Sequence, residues 1–140
     1  KIEALLPEQA RPQANMFRCK ILAEKKDWPG MYKLMEKISD SSPDNAMAQN
    51  ALAWQIATDA SFEKRDLKLA DKFAGRAVSA SGGKDPSILD TQARVWFMLD
   101  KKDEAIKLQE KALGMVSAED KPNFQKTLDS YKKGELPKGE

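Results

Sequence analysis

Residues 85–113 carry two apolar faces at helical spacing on either side of a short polar turn, a pattern that admits little except a helical hairpin. Leu89, Ala93, Trp96 and Leu99 recur every three or four residues before Asp100-Lys101-Lys102-Asp103. After that turn Ala105, Leu108 and Ala112 do the same, with Ile106 and Leu113 on an adjoining row. Asp85-Pro86 reads as an N-cap followed by proline at the first helical position, where no amide donor is lost. Neither helix can bury its face alone. Leu89, Ala93, Trp96, Ala105, Leu108 and Ala112 are therefore expected to be largely buried against neighbours elsewhere in the chain.

Sliding the hairpin back along the chain finds two more copies, with starts at Pro12, Ala46 and Pro86. Seven residues after each start stands Cys19, Ala53 or Ala93, a small side chain where helices approach closely, and three further on Leu22, Ile56 or Trp96. The second helices hold Met31, Met35 and Ile38, then Ala70, Ala74 and Ala77, then Ala105, Gln109 and Ala112. The first two starts lie 34 residues apart and the next two 40, and the excess is assigned to 58–65 and to Gly82-Gly83.

On these residues the chain resembles the tetratricopeptide repeat family, whose period is about 34 residues and whose unit is a helix-turn-helix with small residues at the crossings. The resemblance runs from Pro12 to about Glu119. It is strongest in the third unit and weakest in the first, where Cys19, Met31 and Met35 replace the usual small residues. Gln92 and Ser117 also depart from the family pattern, at an apolar position and at the terminal proline. The resemblance implies an all-α fold of antiparallel helix-hairpin repeats, an α-solenoid of three units at about 12–45, 46–85 and 86–119 within one domain spanning 1–140. A capping helix over about 121–132, with Phe124, Leu128 and Tyr131 inward, would close the open end, and 134–140 would form a tail.

Local signals place the remaining boundaries. Lys1 to Leu6 reads as a lead-in, Pro7-Glu8 as an early start of the first helix, and Lys26-Asp27-Trp28-Pro29-Gly30 as a turn before a helix over 31–39. Ser41 to Asp44 leads into a helix starting at Asp44 or Asn45 and ending at Thr58. Asp66 caps a helix over 67–81, which Gly82-Gly83 ends by tolerating left-handed backbone.

Composition narrows the function classes. The 140 residues hold 24 basic against 22 acidic side chains, a mixed surface of net charge +2 that argues against nucleic acid. No apolar run approaches the roughly 18 residues of a membrane span, so no direct membrane insertion is expected. One cysteine excludes an intramolecular disulfide, and the absence of histidine removes the usual zinc ligand sets, so no metal and no cofactor is expected. Cys19 sits where the repeat asks for a small buried residue and has no histidine to activate it, so it reads as packing. Gly82-Gly83-Lys84 ends a helix and lacks the strand and glycine spacing of a phosphate loop. The chain opens Lys1-Ile2-Glu3 with no initiator Met, which fits a mature chain or an excised domain.

What remains is a protein-interaction or scaffold module, not an enzyme, offering a groove to a peptide or partner domain. The alternatives are a structural spacer or homo-oligomer surface and, further off, a small enzyme. Four and eight residues after the second and third starts lie Asn50 and Trp54, then Asp90 and Arg94, and the (i, i+4) step puts each pair on one helical face. In the resembled family these offsets face the groove, so Asn50 is expected near Asp90 and Trp54 near Arg94, with Phe97 and Met98 extending the patch. The competing reading makes Asp90 and Arg94 an ordinary intrahelical ion pair and Trp54 a core residue. One branch of the family grips a C-terminal carboxylate with lysines, arginine and asparagines. The matching positions here are Met16, Lys20, Ala51, Ser87 and Thr91, so that clamp is absent.

A narrower resemblance is carried by QNALAWQIATD, DLKLADKFAGRAV, GGKDPSILDTQARVWF and KKDEAIKLQEKAL. These segments look like the helical repeat region C-terminal to thioredoxin-like domains of some bacterial envelope redox proteins. The resemblance implies an accessory module of a larger protein in the periplasm or cell envelope. No two-cysteine redox motif is present in this chain, so the redox activity does not carry over.

Overall fold

The computed structural model describes residues 11–138, and in them the chain forms seven helices and no strand. They are α1 (Arg11–Glu24), α2 (Trp28–Ser41), α3 (Ala46–Thr58), α4 (Leu67–Ser81), α5 (Pro86–Met98), α6 (Lys102–Leu113) and α7 (Lys121–Lys132). The expected lead-in at Lys1 to Leu6 and the early helix start at Pro7-Glu8 lie outside the described residues. The class is all-α.

Four helix starts, those of α2, α3, α4 and α5, are set by a short polar side chain that takes up an amide the helix cannot use. Asp27, Asn45, Asp66 and Asp85 accept from the amides of Gly30, Ala48, Leu69 and Ser87 at 3.0, 3.0, 3.0 and 2.9 Å. The expected start of α2 at Met31 is corrected to Trp28. Pro29 and Gly30 read as breakers, but in the first turn proline loses no bond. A Cβ on Gly30 would run into the Asp27 carboxylate, so glycine here keeps the cap in place rather than breaking the helix.

The hairpin turns repeat one another. Lys26 and Asp100, fourteen residues after Pro12 and Pro86, both adopt left-handed backbone, with φ of 58° and 63°. At each turn the chain closes with the same pair of bonds. The Lys26 amide reaches Ala23 O at 3.0 Å and that of Asp27 reaches Leu22 O at 2.9 Å. The Asp100 amide reaches Phe97 O at 3.1 Å and that of Lys101 reaches Trp96 O at 2.9 Å. With three residues between helices whose faces are in contact, α1/α2 and α5/α6 must run antiparallel. Gly82, at φ 67°, ends α4 with the same bonding pattern.

Every helix packs on its neighbour in sequence, and α3 packs on α5 as well. Small side chains make the close crossings possible: Ala53, Ala70, Ala74, Ala77, Ala93, Ala105 and Ala112 are fully buried, and Cys19 is nearly so. The main core gathers Met31, Met35, Leu52, Ile56, Phe73 and Val95. At the far end α7 packs on α6 and turns Leu128 and Tyr131 inward, with Phe124 half-buried.

Two residues expected in the core stop at its edge. Trp96 is half-buried because its indole N–H donates to Asp71 Oδ1 of α4 at 2.8 Å, a partner at the rim of the packing. Leu108 is half-buried while its neighbour Gln109 is fully inside, where Nε2 donates to Asp90 Oδ1 at 2.9 Å and to Phe124 O at 3.5 Å. Likewise Ser39 replaces Ile38 as the buried residue of α2. Its hydroxyl donates to Gln49 Oε1 and accepts from Arg76 Nη1, which also meets Asp40 Oδ1 at 2.9 Å.

Candidate partner-binding face

Trp54 follows Leu52 and Ala53 on α3 and precedes Ile56 and Ala57, all buried, so its position leaves it half-buried at the margin of the core. Across from it α5 presents Arg94, 9% exposed, whose guanidinium carbon lies 5.4 Å from the centroid of the Trp54 indole. The expected approach of these two side chains is therefore what the α3–α5 packing produces. A cation–π contact that is largely desolvated contributes about 1–2 kcal/mol, so it also fastens the second hairpin to the third.

The other residues of the expected patch have the following surroundings. Asp90 accepts from Gln109 on α6, which directs its carboxylate toward the neighbouring helix of its own hairpin. Asn50 is half-buried, and its Oδ1 has no hydrogen-bond partner among the described residues. Phe97 stacks on Tyr131 of the last helix, centroids 4.7 Å apart and planes 20° from parallel, and Met98 packs half-buried against the main core. Both side chains are thus engaged within the fold.

Exposed apolar residues on the same set of helices lie outside the expected Asn50, Trp54, Asp90, Arg94, Phe97 and Met98 patch. Met16 and Phe17 on α1 and Met47 on α3 are 45%, 63% and 68% exposed, whereas α2, α4 and α6 display no large apolar side chain to that degree. Between α1 and α3 a recess of about 410 Å³ is lined by Met16, Lys20, Ala23, Gln55 and Phe62. Gln55 Oε1 is buried and, like Asn50 Oδ1, has no hydrogen-bond partner among the described residues. The signal available in the sequence was that Met16 stands at the offset of Asn50 and Asp90. An apolar residue there is easily assigned to the core.

Burial leaves Cys19 1% exposed and pushes its thiol up to about 11, so the thiolate that nucleophilic chemistry requires is disfavoured near neutral pH. Among the described residues no group of three His, Cys, Asp or Glu side chains is placed to hold a metal ion. No helix there is long and apolar enough to cross a membrane. Comparison of the chain with protein families, curated proteins and solved structures finds no match.

Proposed function

We propose that this chain is a tetratricopeptide-repeat module that binds a peptide or extended segment of a partner protein along the first helices of its hairpins, α1, α3 and α5. The observation that carries the reading is the confinement, among the described residues, of helix-borne exposed large apolar side chains to α1 and α3, since patches of that kind mark interaction surfaces. Two features support it. The recess between α1 and α3, lined by Met16, Lys20, Ala23, Gln55 and Phe62, is a concavity that an extended segment can enter. The Arg94–Trp54 pair holds an indole rigidly at the margin of the same helices.

Peptides selected from a random display library against the whole chain test the proposal. Phe17→Ser with Met47→Ser should abolish their binding at an unchanged melting temperature, and Trp54→Ala or Arg94→Ala should weaken it. Peptides that bind the Phe17→Ser, Met47→Ser chain as tightly as the native one overturn the reading. A dimer that the same substitutions dissolve points instead to homo-oligomerisation. Because Met16, Lys20, Ala51, Ser87 and Thr91 supply no carboxylate clamp, amidating the C-terminus of a bound peptide should leave its affinity unchanged. On the resemblance of the four segments we further read the module as an accessory part of a larger thioredoxin-like protein of the bacterial envelope. A complete reading frame without a Cys-x-x-Cys domain upstream would refute that placement.

A further inference from the structure

A second recess, of about 900 Å³, lies at the turn end of the first two hairpins, between the start of α2, the 59–66 connection and the start of α4. Its apolar floor includes Tyr32, Leu67 and Leu99, and its rim carries Lys26, Lys33, Lys64, Arg65 and Lys68 against two carboxylates, Glu36 and Asp66. Five cations against two carboxylates give the recess a net charge of +3, beside +2 for the whole chain. Some of that charge is already engaged. Lys26 Nζ meets Glu63 at 2.8 Å, Arg65 Nη1 donates to Ile56 O at 2.6 Å, and Asp66 accepts from the Leu69 amide. Lys33, Lys64 and Lys68 have no ion-pair partner among the described residues.

The wall that carries Lys64 and Arg65 is held in place. Phe62, 4% exposed, wedges between Trp28 and Tyr32 with ring centroids 5.7 and 6.4 Å away. The Tyr32 hydroxyl donates to Lys64 O and accepts from the Asp66 amide at 3.1 Å. Three residues close the hairpins α1/α2 and α5/α6, whereas eight join α3 to α4, so the extra length is not needed to reverse the chain. Ordered loops longer than closure requires are where binding residues concentrate.

We propose that this recess docks an acidic peptide segment of a partner protein, its carboxylates on Lys33, Lys64 and Lys68 and one leucine-sized side chain on the floor. Charge complementarity selects the acid, and the apolar floor selects a peptide over a bare anion. Nucleic acid fits less well, because Phe62 already packs against the rings of Trp28 and Tyr32 that bases would stack on. A membrane surface fits less well because the recess includes none of the exposed large apolar side chains.

The test uses the whole chain, isotope-labelled for amide NMR, titrated with a Glu-Leu peptide, its Gln-Leu counterpart, an oligothymidine and anionic vesicles. The Glu-Leu peptide should shift amides in 26–36 and 64–68, with affinity that falls as salt rises. The triple variant Lys33→Glu, Lys64→Glu, Lys68→Glu alters exposed side chains, so it should keep the native helical signal and bind about tenfold or more weakly. Equal binding of the Gln-Leu peptide, absence of shifts in the recess, or preference for oligothymidine or vesicles overturns the proposal. A triple variant that folds and binds as the native chain does so too. Shifts confined to α1 and α3 would leave the first-helix face standing while removing this one.

Discussion

Gln49 is the side chain on which the junction of the first two hairpins depends. It is fully buried on α3; its Nε2 donates to Ser39 O at 3.0 Å and Ser42 O at 2.9 Å, and its Oε1 accepts from the Ser39 hydroxyl. One amide thus satisfies carbonyls at the end of α2 and, through Ser39, connects to Arg76 on α4. Gln49→Leu keeps the volume and leaves no cavity, so the cost comes from polar groups left without partners. The buried Ser39 hydroxyl loses its acceptor, at about 1–3 kcal/mol, whereas the Ser39 carbonyl keeps the Ser42 amide at 3.2 Å and the exposed Ser42 can turn to water. Burying a leucine in place of an amide offsets part of this, and a net loss of about 1–2 kcal/mol is expected. Urea unfolding followed by far-UV circular dichroism should show a lower midpoint at unchanged slope. In a double-mutant cycle with Ser39→Ala the coupling should be about 1 kcal/mol. A Gln49→Leu chain as stable as the native one, or a coupling near zero, would refute the role given to this network.

Ala93→Trp should destabilise by about 1–3 kcal/mol through overpacking, since Ala93 is fully buried where α5 meets its neighbours; a neutral result would undo the assigned register. Lys26→Gly and Asp100→Gly should each stabilise by about 0.5–1 kcal/mol, because both turns require positive φ and the exposed Lys26–Glu63 pair adds little. Loss of stability in both variants would show that the side chains matter more than the backbone. Burial raises the Cys19 thiol from 9.0 to about 11, so the folded state holds its proton longer than the unfolded one. Its contribution is fully present below about pH 9 and is lost as pH rises through about 11, a change of about 2–3 kcal/mol. The native chain should therefore lose stability over that window relative to Cys19→Ala, and parallel curves would contradict the assignment.

Much of the helix layout was legible because its causes are local. Asp66 at the start of α4 and Gly82 at its end act on amides and carbonyls within five residues, so both boundaries stand in the sequence as chemistry. The small residues Cys19, Ala53 and Ala93 recur at one offset and are all buried. Trp28 was misplaced for a local reason too: Pro29-Gly30 has two meanings, breaker or first turn, and only the Asp27 cap decides between them. The candidate site was half legible. Arg94 and Trp54 meet as their offsets imply, but Phe97 belongs to Tyr131, a residue thirty-four positions later that no pattern on α5 announces.

By itself, then, the sequence determined the helices, most of their ends and the small residues at the crossings, because caps, turns and helical periodicity are satisfied within a few residues of where they are written. Only the tertiary structure decided which polar side chains go inside. Ser39 and Gln49 look outward by hydropathy, and each is buried because a partner arrives from another helix, in one case from Arg76, thirty-seven residues away, whereas Gln109 already stands on the inner row of its repeat. The 59–66 connection was settled in the same way: nothing in its polar sequence marks Phe62 as core, and only its packing against α2 supplies the aromatic pair, Trp28 and Tyr32, that draws it in. A buried polar group or a loop anchor is stable only when its complement is present, and that complement is brought by packing, not by neighbours in the chain.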